Sequence, residues 1–580
     1  MKVSDYVNSF LKKNEVKFIF EMSGGMITHL LDSIYQKNEI KIVSMKHEQS
    51  AAFAADTVGR LTGKPGIAMA TSGPGATNLI TGIGSSYFDS SPTVFITGQV
   101  NRNELKKNRK IRQLGFQETD IVSIIKPITK KAFRASNAKN VPYLLKKAYE
   151  VSTSGRPGPV LLDLPMDVQR TQIKAPKAKK VSIQAKKFYK NNILKKLLFD
   201  LQNSKKPIIL VGGGIHSSHS LDLFRKFIHL IKIPVVNSLM AVDALPYSEP
   251  LRVGFIGSYG NRWANITLSN SDFVLVLGSR LDVRQTGSQV KEFKEDKIIY
   301  HVDCEKGEIN NRISGCAEVN SDLQAFLTNI IKYIGKKKIQ ARNDWINEIN
   351  SLKNSFPDYK ENSKISGINP NNFIHKLSKF SKKASVIVSD VGQHQMWAAQ
   401  SLELHKNQRF VTSGGMGSMG FGLPSSIAAA FIQSPSPIVL IAGDGGFQSN
   451  IQELQTVVHH NLPIKIVILN NRCHGMVRQF QEQLFDKRYQ STLWGYSAPN
   501  FEKIALSYGI RAKTVKTESE IKKALEWLWK RPKEPQLLQV MIDTFTNAYP
   551  KIAFGLPNYK MEPFQNLDVP IVHRLPKKSC

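Results

Sequence analysis

Cysteine is scarce in this chain. There are four in 580 residues (Cys304, Cys316, Cys473 and Cys580), with no Cys-x-x-Cys pair and no histidines at zinc-ligand spacing. That excludes a disulfide scaffold or a zinc module and points to a reducing compartment, the cytoplasm. Long apolar runs are missing too. No stretch approaches the roughly 18 apolar residues a membrane helix needs, so no membrane partner is expected. The opening MKVSDYVNSFLKK lacks the apolar centre and cleavage site of a secretory signal and reads as an amphipathic first helix. Acidic residues are in deficit, 46 against 80 basic, for a net charge of +34. Such an excess raises the question of nucleic acid. The lysines, however, are scattered through every expected element, without a basic stripe interleaved with aromatics, so no nucleic-acid partner is expected.

What is present is an ordinary globular balance, 41% apolar and 22% charged residues. The length asks for more than one core, with about three or four domains as a first expectation. From residue 1 to 169, helices alternate with short apolar strands at Val16–Phe20, Ile40–Val43, Gly66–Ala70, Thr93–Thr97 and Pro159–Leu164, a doubly wound α/β pattern. A lysine-rich linker (170–190) leads to a second α/β unit (191–334) with strands Pro207–Val211, Phe273–Leu277 and Lys297–Val302. A charged connection precedes a third unit (365–549), and the tail (550–580) reads as a lid or a frayed end. The fold class is therefore α/β, with three doubly wound parallel-sheet domains.

The third unit contains the most informative stretch, Pro437–Val477. Two β-branched runs, Pro437–Ala442 and Pro463–Leu469, flank helical spacing over Ser449–His459, which predicts a parallel strand–helix–strand crossover. The first strand ends in Gly443-Asp444-Gly445 and the second in Asn470-Asn471, with 24 residues between Gly445 and Asn470. Parallel strands side by side bring both ends to one carboxyl edge, where open α/β sheets bind ligands. A carboxylate, an amide oxygen and a main-chain carbonyl are hard ligands suited to Mg²⁺, with a phosphate completing the shell.

This pairing resembles the signature of thiamine-diphosphate enzymes. The resemblance implies that Asp444, Asn471 and the carbonyl of Cys473 hold Mg²⁺ against the cofactor's diphosphate. It also casts Glu48, in MKHEQSAAFAAD, as the carboxylate that bonds the cofactor's pyrimidine and drives its activation. The wider set SGGMITHLLDSI, TSGPGATNL, GFQETDIV, SGRPGPVLLDLP, VGQHQMWAAQ and TSGGMGSMGFGLP is similar to the catalytic subunit of the acetolactate synthase (acetohydroxyacid synthase) family, from about Val3 to Asp543. That likeness implies the thiamine-diphosphate-binding fold, with pyrimidine, central and diphosphate domains. It further implies active sites shared between chains, so a homodimer at minimum or a homotetramer. Val391, Gln393, His394, Gly417, Gly443, Gly445, Gly446, Gly475 and Met476 match cofactor contacts, and Met419 matches the residue that keeps the cofactor bent. Gly25, Phe116 and Gln117 match residues at the reacting end.

In the central unit the family's flavin site corresponds to Arg156, Gly212, Gly213, Gly214, Leu239, Met240, Gly257, Gly278, Ser279, Arg280, Asp282, Arg284, Asp303 and Asp322, implying FAD in a non-redox role. The family's Gly-Met-His-Gly is Gly257-Ser258-Tyr259-Gly260 here. Further departures concern the acceptor. Met166 stands where the family has lysine, and Phe480 where it has the tryptophan that selects the second keto acid. A longer loop, NRNELKKNRKIR, adds Arg102, Lys106, Lys107, Arg109, Lys110 and Arg112. The loop reads as a solvated surface or as a clamp on a phosphorylated acceptor.

The expected activity is decarboxylation of pyruvate and transfer of the two-carbon unit to a second 2-keto acid, giving 2-acetolactate as in branched-chain amino-acid synthesis. The alternative keeps the donor and changes the acceptor to a nucleotide-linked keto sugar. A non-catalytic scaffold is a third reading, against which the joint presence of Glu48, Met419, Asp444 and Asn471 argues.

Overall fold

The computed structural model describes residues 1–174, 176–181, 191–335, 339–363 and 365–565. The alternating apolar runs form three parallel sheets of six strands each. The first contains β1 (Phe18–Met22), β2 (Lys41–Ser44), β3 (Gly66–Ala70), β4 (Thr93–Gln99), β5 (Lys131–Arg134) and β6 (Pro159–Pro165), in the order β2-β1-β3-β4-β6-β5. The second contains β7 (Pro207–Val211), β8 (Val235–Asn237), β9 (Arg252–Phe255), β10 (Phe273–Leu277), β11 (Ile298–Asp303) and β12 (Ala317–Asn320), in the order β12-β11-β10-β7-β8-β9. The third contains β13 (Val386–Ser389), β14 (Arg409–Thr412), β15 (Ile438–Gly443), β16 (Ile464–Asn470), β17 (Arg511–Val515) and β18 (Gln536–Met541), in the order β14-β13-β15-β16-β18-β17.

Sheet three repeats sheet one strand for strand, although no repeat is evident in the sequence. Sheet two has the strand order of dinucleotide-binding folds, reversing direction between β7 and β10. In each sheet the central strands are buried along their whole length, as helices covering both faces require. The edge strands β2 and β17 alternate, with Lys41, Arg511 and Lys513 turned outward.

Sheets one and three share one core. The helix Glu48–Thr62 lies against the helix Gly422–Gln433, the two equivalent elements of the repeat. Ala51, Ala52, Ala54 and Ala55 share one buried cluster with Ala428, Ala429 and Ala430, and such small side chains permit close approach. Phe53 and Phe421 meet edge-on at 5.5 Å. Arg60, largely buried, pairs with Asp56 at 2.8 Å and Asp89 at 2.7 Å and donates to the Thr412 carbonyl, tying the first unit to the end of β14.

Several expectations are corrected. The first strand starts later than Val16, because the Val16 N–H closes a turn onto Leu11. The crossover helix is split: one helix covers Asp444–Gln448, and after Asn450 a short 3-10 turn, Ile451–Glu453, leads into the helix Leu454–His459. Asn450 interrupts it by donating to the Gly420 carbonyl at 2.7 Å while accepting from Ser50. The charged connection before the third unit includes a helix, Asn343–Ser355, that buries Trp345, Ile349 and Leu352. Part of the expected linker is also ordered, since Gln172 pairs with Lys2; residues 175 and 182–190 of it lie outside the described residues. The tail does not fray over residues 550–565. It forms a hairpin, β19 (Lys551–Ile552) and β20 (Met561–Glu562), with Arg262 donating to the carbonyls of Met561 and Pro563. The remainder of the tail, 566–580, lies outside the described residues.

Candidate functional site

In sheet three the strand order reverses between β13 and β15, so the loops after these strands frame a crevice. The first loop carries Asp390, Val391, Gln393 and His394, and the second carries Gly443–Gly446. They approach closely. A methyl on Gly443 would lie 2.7 Å from His394 Nδ1, and one on Gly446 would lie 2.8 Å from Asp390 Oδ1. Glycine at both positions is a steric requirement. Burial pushes the His394 imidazole down to about 3, so it is neutral at physiological pH, and its Nε2 has no hydrogen-bond partner among the described residues. Asp390, which the sequence reading overlooked, accepts from Val391, Gly420 and Gly422 main-chain N–H groups at 2.6–3.0 Å. It thereby fixes the loop that carries Gly417 and Met419. Met419 reaches over Gly445, its Cε 3.3 Å from where a Cβ would stand.

At the ends of β15 and β16 the Asn471 side-chain amide meets two oxygens, the Cys473 carbonyl at 3.0 Å and Asp444 Oδ1 at 3.2 Å. With its nitrogen turned inward the amide donates to both; with its oxygen turned inward it adds a third oxygen to theirs and leaves room for a cation. Asp444 is 2% exposed, and burial pushes its carboxyl up to about 6. Asn471 Nδ2 donates to Gln393 Oε1 at 2.9 Å, and Gln393 also faces Gly475. The outer oxygen of Asp444 accepts from the Tyr496 hydroxyl at 2.9 Å. No pattern in the sequence marks Tyr496, which lies in an irregular segment. Among the described residues no three His, Cys, Asp or Glu side chains converge on a metal position; the set here contains one carboxylate.

A second group gathers at the carboxyl edge of sheet one, around Thr71–Gly75. Glu48, 9% exposed, accepts from Asn78 Nδ2 at 3.0 Å, and its Oε1 faces Gly75. Gln117, at φ +64°, packs on Gly73. Gly25 opens a helical turn tethered by the Met26 N–H to Thr71. Phe116 stands 80% exposed, outside this group. Among the described residues no hydrogen bond joins Glu48 to Asp444 or Asn471. The contacts between the two edges are instead Lys46 N–H to Glu453 at 2.8 Å and Ser50 to Asn450 at 3.1 Å.

A cavity of about 620 Å³ opens at the reversal point of sheet two. Twelve of the fourteen residues expected around a flavin line it, from Arg156 and Gly213 to Asp303 and Asp322. Gly212 and Gly257 stand behind its wall, where a methyl on either would strike the Gly278 or Arg284 backbone. Asp282 and Asp322 each use one oxygen to cap a helix. Burial pushes Asp303 up to about 6. The cavity continues to Val391, Met476 and Phe480 of the third unit, with Phe554 of the tail at its rim. Phe480 is 45% exposed and packs on Phe485. Met166 opens a short helix beyond β6, and its neighbour Asp167 pairs with Arg102 at 2.7 Å. That pair and Glu118, which accepts from Lys106 and Leu114 N–H groups, brace the basic loop, while Lys107, Arg109, Lys110 and Arg112 stay exposed.

Three thiamine pyrophosphate enzyme models match the chain: the N-terminal TPP binding domain over residues 1–124, the central domain over 194–330 and the C-terminal TPP binding domain over 390–540. The chain is 35% identical over 561 residues to the acetolactate synthase large subunit of Lactococcus lactis, covering 96% of this chain and 95% of that protein. It is 36% identical over 573 residues to the corresponding subunit of Cyanidium caldarium (95% of each). With that of Buchnera aphidicola it shares 35% over 543 residues, or 92% of this chain and 94% of that protein.

Proposed function

The chain belongs to the acetolactate synthase large-subunit family of thiamine pyrophosphate enzymes, and we propose that it condenses two molecules of pyruvate into 2-acetolactate with release of carbon dioxide. The observation that carries the reading is the meeting of Asp444 Oδ1, the Asn471 side-chain amide and the Cys473 carbonyl at one sheet edge, which with the amide oxygen turned inward is an oxygen set of the kind Mg²⁺ takes together with a phosphate. These three would hold the metal, and the Gly443–Gly446 turn gives a diphosphate close access to main-chain N–H groups. Bound thiamine diphosphate supplies the carbon nucleophile and the electron sink that decarboxylation needs.

The chain's own residues do the rest. Met419, lying over Gly445, would pack against the bound cofactor and help set its conformation. Glu48 holds a proton at a pyrimidine nitrogen, with Asn78 fixing one carboxyl oxygen and leaving the other free. Gln117 and Gly25 line the reacting end, and Phe480 and Met166 shape the acceptor's approach. Among the described residues Glu48 and Asp444 are not joined, and Met419, Phe116 and Phe480 leave apolar surface exposed. Both facts support a homodimer in which each site takes Glu48 from one protomer and Asp444 from its partner, and the scarcity of cysteine suits the cytoplasm. The cavity at the sheet-two reversal point suits FAD, with Arg156 and Arg280 for a diphosphate and buried Asp303 for a hydroxyl-rich group. Condensing two pyruvates consumes no electrons, so the flavin's part there is structural.

Pyruvate, Mg²⁺ and thiamine diphosphate alone should give acetolactate, read by product mass. Transfer to a nucleotide-linked keto sugar is not favoured by relatives that are acetolactate synthases. Carbon dioxide release that requires such a sugar, with no acetolactate in its absence, would reverse that judgement.

A further inference from the structure

Tyr496 lies on none of the regular elements, yet its hydroxyl donates to Asp444 Oδ2 at 2.9 Å. The other carboxyl oxygen, Oδ1, faces the Asn471 side-chain amide at 3.2 Å, and that amide lies 3.0 Å from the Cys473 carbonyl. The tyrosine is held from two sides. Its ring meets that of His474 at 4.4 Å, and Gln448 Nε2 donates to its oxygen at 3.4 Å. Gln448 in turn sits one turn beyond Asp444 on the same helix and also donates to the Asp444 carbonyl. His474 precedes the helix Gly475–Leu484 and stands against Gly445. The phenol is thus fixed by the two segments that border the oxygen cluster.

We propose that Tyr496 is a positioning residue that confines Asp444 to a one-oxygen contact with the metal and so makes the site selective for Mg²⁺ over Ca²⁺. The inference rests on the reading of Asp444, Asn471 and Cys473 as the metal's holders. A carboxylate with both oxygens free can bind a cation through both, as Ca²⁺ at 2.3–2.6 Å and flexible geometry readily allows. Mg²⁺ demands a near-octahedral shell and takes carboxylates through single oxygens. A phenol occupying Oδ2 leaves only Oδ1 for the cation and also keeps the carboxyl plane from rotating. Partners of this kind, bonded to a ligand and not to the metal, typically change metal affinity by about 10- to 100-fold when removed.

The test compares the full-length protein with Tyr496→Phe, which keeps the ring and its packing on His474 but deletes the donor. Thiamine diphosphate binding is followed calorimetrically while Mg²⁺ or Ca²⁺ is titrated, so the readout is affinity and not turnover. The expected result is an Mg²⁺ requirement raised by about tenfold, with Ca²⁺ affinity unchanged or improved, so that the Mg²⁺/Ca²⁺ preference falls. Equal weakening for both ions, or no change for either, overturns the inference. Failure of the parent protein to bind the cofactor with Mg²⁺ would instead overturn the metal-site reading on which it stands. Unchanged thermal melting of the metal-free variant separates loss of the hydrogen bond from loss of the fold.

Discussion

At the scale of single residues, the chemistry depends on what is left free more than on what is bonded. Glu48 gives one oxygen to Asn78 and keeps the other toward Gly75, so a partner can take it without breaking the existing bond. Gln at this position would keep the shape and lose the acid–base function proposed for Glu48. We expect Glu48→Gln to slow carbon dioxide release from pyruvate by about 10²- to 10⁴-fold, the usual worth of such a group, while thiamine diphosphate still binds. Single-turnover release measured with saturating cofactor checks this, and a variant as fast as the parent would remove Glu48 from the proton path. In the sequence Glu48, between a strand and an alanine-rich helix, is marked only through the resemblance to thiamine-diphosphate enzymes. The sequence did not single out Asn78, Asp390 or Tyr496. Their roles come from contacts across the fold and leave no local pattern.

At the scale of elements, the third unit carries a charge latch that no motif announced. His375, on the helix Pro370–Phe380, bonds Glu403 through Nδ1 at 2.8 Å and Asp358 through Nε2 at 3.0 Å, with the Tyr247 ring beside it. Burial opposes the charged imidazole, but hydrogen bonding and attraction to the two carboxylates outweigh it, so the His375 pKa is raised above 6.5. A raised histidine pKa stabilises the fold fully below the unfolded value, and that contribution is lost as pH climbs through the folded one. Thermal inactivation of the parent should therefore move to lower temperature as pH rises from about 6 to about 9, and His375→Gln should flatten the part of that slope due to this residue. Parallel slopes for the two proteins would show that the latch does not titrate as argued. The crossover expected over Ser449–His459 teaches a related lesson. Its apolar spacing is helical, but Asn450 spends its amide on Gly420, a partner 30 residues away, and the helix breaks there.

At the scale of the whole molecule, two like sheets pack through like helices and leave the two halves of the chemistry at separate carboxyl edges. If each site is completed by a partner, inactive chains should complement one another. Glu48→Gln and Asp444→Ala proteins, mixed in equal amounts and allowed to exchange subunits, should recover about a quarter of parental activity, since half of the dimers are mixed and each has one intact site. Continued inactivity despite demonstrated exchange would place both residues in one chain's site. The sequence by itself determined the α/β class, the buried strands and the Gly-Asp-Gly and Asn-Asn ends, because burial on both faces and tight turns act through local composition and spacing. Edge strands such as β17, the duplication of sheet one in sheet three and the continuous cavity from Arg156 to Phe480 were decided only by the tertiary structure. Each depends on which elements become neighbours, and that is settled by packing between segments far apart in the chain.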